Sequence, residues 1–193
     1  MNIIERVKNI LITPKTEWEV INAESATPQS LLVGYVLPMA VVASIGSILQ
    51  AFLFAGTLGL KYFLVMAVIA FAVQVINFYI SSMIIDALAT SFGSEKNLNK
   101  SAQLVAYSAT PGYVAGLLSF IPVLGMILGL AAWAYSIYLM YLGIGPLKKT
   151  PEDKKVAYMI VSFLVMIILS FVLAAILGMI FMSALGLGTR SLF

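Results

Sequence analysis

Apolar residues in this chain run in stretches of about 20 residues or more, the length that crosses a hydrocarbon core as a helix. Five such stretches follow one another, over residues 30–55, 62–90, 102–120, 123–145 and 156–187. The first contains Pro38 and closes at Gly56 and Gly59, a short turn. The second is long enough to tilt or to project from a bilayer. The third is the least regular, because Tyr107, Ser108, Thr110 and Pro111 sit near its middle. Proline deletes a backbone hydrogen bond and clashes with the preceding turn, so a kink or break is expected at Pro111. Pro122 sets the turn into the fourth stretch, and the fifth ends in Gly186, Gly188 and Arg190. Polar loops lie between, over residues 91–101 and 146–155.

The N-terminal segment follows another rhythm. Ile3, Ile4, Val7, Ile10 and Leu11 share one helical face, with Glu5, Arg6, Lys8 and Asn9 between them, which predicts a short amphipathic helix too charged to span. Thr13 and Pro14 read as a stop followed by a fresh N-cap and N1, so a second short helix carrying Trp18, Val20 and Ile21 should follow. The pair either lies along the membrane surface or packs against the spans. The pattern thus divides the chain into a cytoplasmic amphipathic segment, 1–29, and a five-span domain, 30–190. The fold class is all-α, a polytopic transmembrane helical bundle.

Composition agrees. Hydrophobic residues make up 62% of the 193 positions and charged residues 10%, against about 25% charged in an ordinary soluble domain. The 11 Lys and Arg residues fix the orientation. With the N-terminus inside, Arg6, Lys8, Lys15, Lys96, Lys100, Lys148, Lys149, Lys154 and Lys155 are cytoplasmic, and only Lys61 and Arg190 fall outside. That split follows the positive-inside rule and accounts for the net positive charge without a nucleic-acid partner. No cleavable signal peptide is expected, because charged residues interrupt the first apolar positions. The predicted location is the inner cell membrane, multi-pass, with the C-terminus outside.

Histidine and cysteine are absent. Disulfides, thiolate nucleophiles and the usual zinc ligands are therefore excluded, and a lone intramembrane carboxylate cannot form a dyad or a two-metal site. No catalytic residue, metal site or cofactor is expected, and the chain reads as a non-enzyme. The residues that remain form a candidate ion or partner site: Asp86, Gln74, Asn77, Tyr107, Thr110 and Pro111. Asp86 is the one acidic residue inside a predicted span, where ionisable groups are costly. It lies about one turn from the cytoplasmic end, within reach of Lys96 or Lys100. Gln74, Asn77 and Ser81 share a face of the second stretch, some 150° around from Asp86 at 100° per residue, and suit interhelical hydrogen bonding.

At a break beside Pro111, backbone groups could meet an ion or substrate. Alternatively Ser108 or Thr110 satisfies the carbonyl that proline frees. Gly112 with Gly116 and Gly125 with Gly129 are GxxxG pairs, compatible with packing of the third and fourth spans or with self-association. Trp133, Tyr135, Tyr138 and Tyr141 read either as a cation cage or as an interfacial belt. Lys148, Lys149, Lys154 and Lys155 could meet anionic headgroups.

The run LVAYSATPGYVAGLLSFIPVLG over 104–125, followed by WAYSIYLMYLG over 133–143, resembles the core of Yip1-domain proteins. FGSEKNLNKSAQL over 92–104 and TPKTEWEVI over 13–21 extend the resemblance to most of the chain. It implies five spans with a cytoplasmic N-terminus. Eukaryotic Yip1 relatives are associated with membrane traffic and Rab-class GTPases; only about 30 residues precede the first span here, so a bacterial-type member without that role is expected. The reading is a non-catalytic membrane protein in membrane organisation or intramembrane interaction, with lipids, other membrane proteins or a second copy as partners. The alternative is a small ion or solute channel or transporter using the broken third span and the polar residues of the second.

Overall fold

The structure is a computed structural model describing residues 2–54 and 59–184. Nine α-helices make up most of the described residues: α1 (Ile3–Ile12), α2 (Pro14–Ala23), α3 (Pro28–Leu31), α4 (Leu37–Phe54), α5 (Gly59–Leu88), α6 (Leu98–Ser108), α7 (Thr110–Leu117), α8 (Pro122–Lys148) and α9 (Lys155–Ala184). A π-helical turn, Leu32–Val36, joins α3 to α4, and 3-10 turns follow α5 and precede α9. Gly59 opens α5, while Gly56 of the expected turn, the end at Gly186, Gly188 and Arg190, and the side chain of Lys61 lie outside what is described.

Local chemistry sets the boundaries. The Asn2 side chain accepts from the Ile4 amide at 3.1 Å and starts α1. Pro14 occupies the first position of α2, where its missing N–H costs nothing. Thr27 and Ser30 form a capping box at α3. Asn97 accepts from the Lys100 amide at 3.2 Å and starts α6. Lys149 closes α8 at φ 50°, in the left-handed region that a lysine enters only at a cost.

Four stretches are long and apolar enough to cross a membrane: Pro28–Gln50, Phe71–Phe92, Val123–Lys148 and Glu152–Leu173. The chain is a multi-pass membrane protein. The remaining expected stretch is built differently. It starts early, at Leu98, and is divided into α6 and α7, which meet at Ala109. This pair occupies the middle of the bundle, with α5, α8 and α3 around α6 and α4, α8 and α1 around α7. Because other helices surround it, α6 can carry buried Ser101, Gln103 and Ser108 without presenting them to lipid.

One local expectation changes, and two open readings are narrowed. Pro146 does not open a loop: α8 continues through it to Lys148. In the last turn the lost donor and the ring's clash disturb few remaining hydrogen bonds. Of the glycine pairs only Gly125 packs between the third and fourth stretches. A Cβ on Gly116 would lie 2.9 Å from Ala43 Cβ, so it faces α4, whose Gly46 in turn leaves no room for a side chain against the Gly116 and Leu117 carbonyls. Gly125 abuts Ser119, while Gly112 and Gly129 face open space. Finally, α1 and α2 pack against the spans. Ile10, Trp18 and Ile21 are fully buried, and the Tyr135 hydroxyl donates to the Leu11 carbonyl at 2.8 Å.

Candidate functional site

The helical hairpin of α1 and α2 is fastened to α6 by polar groups. Arg6 projects from the inner face of α1, beside Ile10, and is 4% exposed. Its guanidinium donates to Glu17 at 2.5 Å and to Glu24, and lies 5.1 Å from the centre of the Tyr107 ring. From α6, Lys100 donates to the Asn22 carbonyl at 2.5 Å and the Glu24 carbonyl at 3.1 Å. Gln103 donates to the Ile21 carbonyl at 3.2 Å. These bonds satisfy the last carbonyls of α2, which a helix end leaves without partners.

Trp18 completes the seat. Its ring meets Tyr107 edge-on at 6.5 Å, and a Cβ added to Gly143 would lie 2.7 Å from it. Glycine at 143 is therefore what admits the indole between α2 and α8.

At the junction of α6 and α7, Pro111 has no N–H for the Tyr107 carbonyl four residues back. Thr110 Oγ1 donates to that carbonyl at 2.6 Å. Its only proton is thereby used, so the Tyr35 hydroxyl, 2.7 Å away, donates to Thr110. Tyr35 also packs edge-on against Tyr107 at 4.7 Å. Of the two readings of this junction, the satisfied carbonyl is the one observed.

Asp86 is 8% exposed and pairs with neither Lys96 nor Lys100. Its partner is Lys148, at 3.2 Å. The continuation of α8 past Pro146 carries Lys148 inward, where it is 0% exposed. Its three donors meet Asp86 Oδ1, the Asn97 carbonyl at 3.2 Å and Ser101 Oγ at 2.8 Å. Lys148 is thus no headgroup contact. Lys149 pairs with Glu95 at 2.6 Å, and Lys155 with Glu152 at 2.5 Å.

The Yip1 domain model matches residues 8–176. The chain belongs to the Yip1 family. No curated protein and no solved structure gives a match. The match includes α2, α6, α7 and α8, so Trp18, Glu17, Glu24, Tyr107, Asp86 and Lys148 all lie inside the Yip1 domain.

The six sequence-predicted residues do not form one site. Tyr107, Thr110 and Pro111 stand together at the α6–α7 junction, while Asp86 belongs to the separate Lys148 cluster. Gln74 and Asn77 are partly exposed and enter neither cluster. Among the described residues no group of three or more His, Cys, Asp or Glu side chains is placed to hold a metal. Nor do the aromatic residues of α8 converge as a cage. Trp133, Tyr138 and Tyr141 are exposed at 62%, 42% and 38% and line an apolar groove with α9, as a belt residue would.

Arg6, Glu17, Glu24 and Tyr35 were not among the sequence candidates, and Lys148 was one only for a headgroup contact. A signal was present: Arg6 stands with Ile3 and Ile10 at helical spacing, and Lys148 with Ile144 and Leu147. A charge set within an apolar stripe needs a buried partner. Between α1 and the start of the first span lies a cavity of about 530 Å³, walled by Arg6, Glu24, Ser25, Gly34, Tyr35 and Tyr107, with Ile3 and Leu31.

Proposed function

We propose that this Yip1-domain protein is a non-catalytic membrane component acting in membrane organisation or intramembrane interaction, with lipids, other membrane proteins or a second copy as partners. Its orientation in the inner membrane places the N-terminus in the cytoplasm. In this reading α6 and α7 are the third of five spans and the innermost, kinked at Pro111: residues 98–117 at 1.5 Å each reach about 30 Å, the thickness of a hydrocarbon core.

One observation carries the choice against a permeation path. At the α6–α7 junction Thr110 binds the Tyr107 carbonyl and in the other cluster Lys148 binds Asp86, so the carbonyl freed by proline and the intramembrane carboxylate are both taken up by side chains, and only the Ser108 hydroxyl is left without a partner there. A conduction path needs such groups turned toward a shared opening. The test is ion and small-solute flux in proteoliposomes of folded protein, beside Asp86→Asn and Pro111→Ala variants. The expected result is no flux above empty liposomes for protons, alkali ions, divalent ions or small anions. Flux abolished by either substitution would overturn the reading in favour of a channel or transporter.

A further inference from the structure

The cavity beside Arg6 has a charge imbalance. One guanidinium faces two carboxylates, and the two differ in exposure: the Glu17 side chain is 5% exposed and that of Glu24 36%. Only Oε1 of Glu24 is held by Arg6. Lys100 is directed at the backbone carbonyls of Asn22 and Glu24. The cavity wall therefore presents a carboxylate oxygen, Oε2 of Glu24, that no hydrogen bond among the described residues holds, next to the exposed Ser25 and the Tyr107 hydroxyl, which likewise takes part in none of them. Three acceptors in one wall suit a group with several N–H donors. Arg6 also retains N–H donors, since a guanidinium has five.

The other lining points to what carries that group. Ile3 and Leu31 are apolar, and the cavity borders Gly34, next to the 61% exposed Val33, in the first candidate span. A volume of about 530 Å³ is in the range of small-molecule sites. A quaternary ammonium would need an open aromatic face. Tyr107 does not offer one, because Arg6 stands over its ring and Tyr35 and Trp18 meet it edge-on.

We propose that this cavity binds the phosphoethanolamine headgroup of a membrane phospholipid. The primary ammonium sits against Glu24, Ser25 and Tyr107, the phosphate takes the remaining Arg6 N–H groups, and the acyl chains leave past Leu31 and Gly34. This deepens the lipid part of the proposed function, and it is tested by binding, so its failure is separate from any result on flux.

The experiment is native mass spectrometry of the delipidated full chain in detergent, with equal amounts of phosphatidylethanolamine, phosphatidylcholine and phosphatidylglycerol. The ethanolamine lipid should be retained about tenfold over the other two, the effect of one charged hydrogen bond. Gly34→Leu should abolish that preference, because a Cβ at Gly34 meets nothing within 4 Å and the added side chain has room to enter the cavity. Glu24→Gln should lower it to the phosphatidylcholine level and serves as the decisive variant if Gly34→Leu does not fold. Soluble phosphoethanolamine at millimolar concentration identifies the source: competition places recognition in the headgroup alone, and no competition requires the whole lipid. Equal retention of the three lipids, or a preference unchanged in both variants, would overturn the proposal.

Discussion

Two buried charge clusters flank α6, and they are built on opposite plans. Around Lys148, one ammonium meets one carboxylate and two neutral acceptors, so every donor is used and no charge is left over. Around Arg6, one guanidinium meets two carboxylates, one of which reaches a cavity. A balanced, closed cluster holds helices in register. An unbalanced cluster opening to a cavity retains capacity to bind. Tyr107 and Ser101 lie on the same short helix, so α6 ties the two together.

The comparison breaks most sharply at Asp86. Asp86→Ala leaves the Lys148 ammonium buried without its counter-charge, and removing one partner of a buried pair costs about 3–5 kcal/mol. Thermal unfolding in detergent should show this as a large loss of midpoint. The double variant Asp86→Ala with Lys148→Met should recover most of it, because a buried charge is no longer left alone. A single variant as stable as the parent would remove Lys148 from the role of closed anchor.

The next test separates the two acids of the other cluster. Glu17→Gln should cost about 2 kcal/mol, as a buried charged hydrogen bond is lost. Glu24→Gln should cost less than about 1 kcal/mol, since its carboxylate is partly exposed and solvent screens it. Equal losses would mean that both acids serve the fold, and the binding capacity assigned to Glu24 would go. Measured beside lipid retention, the pair distinguishes a fold contact from a ligand contact.

Much of this arrangement was legible in the sequence, and the part that was not has a common cause. The apolar stretches, the Thr13–Pro14 boundary and the polar junction at Pro111 are local signals, set by spacing and by the chemistry of single residues. Which charge meets which is not local. Arg6 finds partners 11 and 18 residues away, and Asp86 finds one 62 residues away. Lys148 was hidden for a second reason: it follows Pro146, which read as the end of a helix, and only the extra turn brings it inside. The inner helix pair likewise carries too many polar residues to resemble a lipid-facing span, because its solvent is the rest of the protein.

Thr110 offers a smaller effect at the junction between the clusters. Thr110→Val keeps the shape but removes the donor to the Tyr107 carbonyl and the acceptor for Tyr35. A loss of about 1–3 kcal/mol is expected from the buried groups left without partners. Tyr35→Phe should cost about 1 kcal/mol, because it removes one bond and leaves Thr110 still satisfying the carbonyl. If the order of the two is reversed, Tyr35 rather than Thr110 holds the junction.

The smallest expected effect lies at Lys149, beside the closed cluster. Its φ of 50° costs a non-glycine residue about 1 kcal/mol, and its bond to Glu95 joins side chains 68% and 55% exposed, a kind of pair worth about 0–1 kcal/mol. The Glu95 amide also donates to the Lys148 carbonyl at 2.8 Å, a backbone tie that does not involve the Lys149 side chain. Lys149→Gly relieves the backbone cost and deletes the surface pair, so its unfolding midpoint should equal or slightly exceed that of the parent. A clear loss would show that the exposed pair, and not the backbone cap, positions Lys148; the closed cluster would then depend on salt, and its midpoint should fall as ionic strength rises.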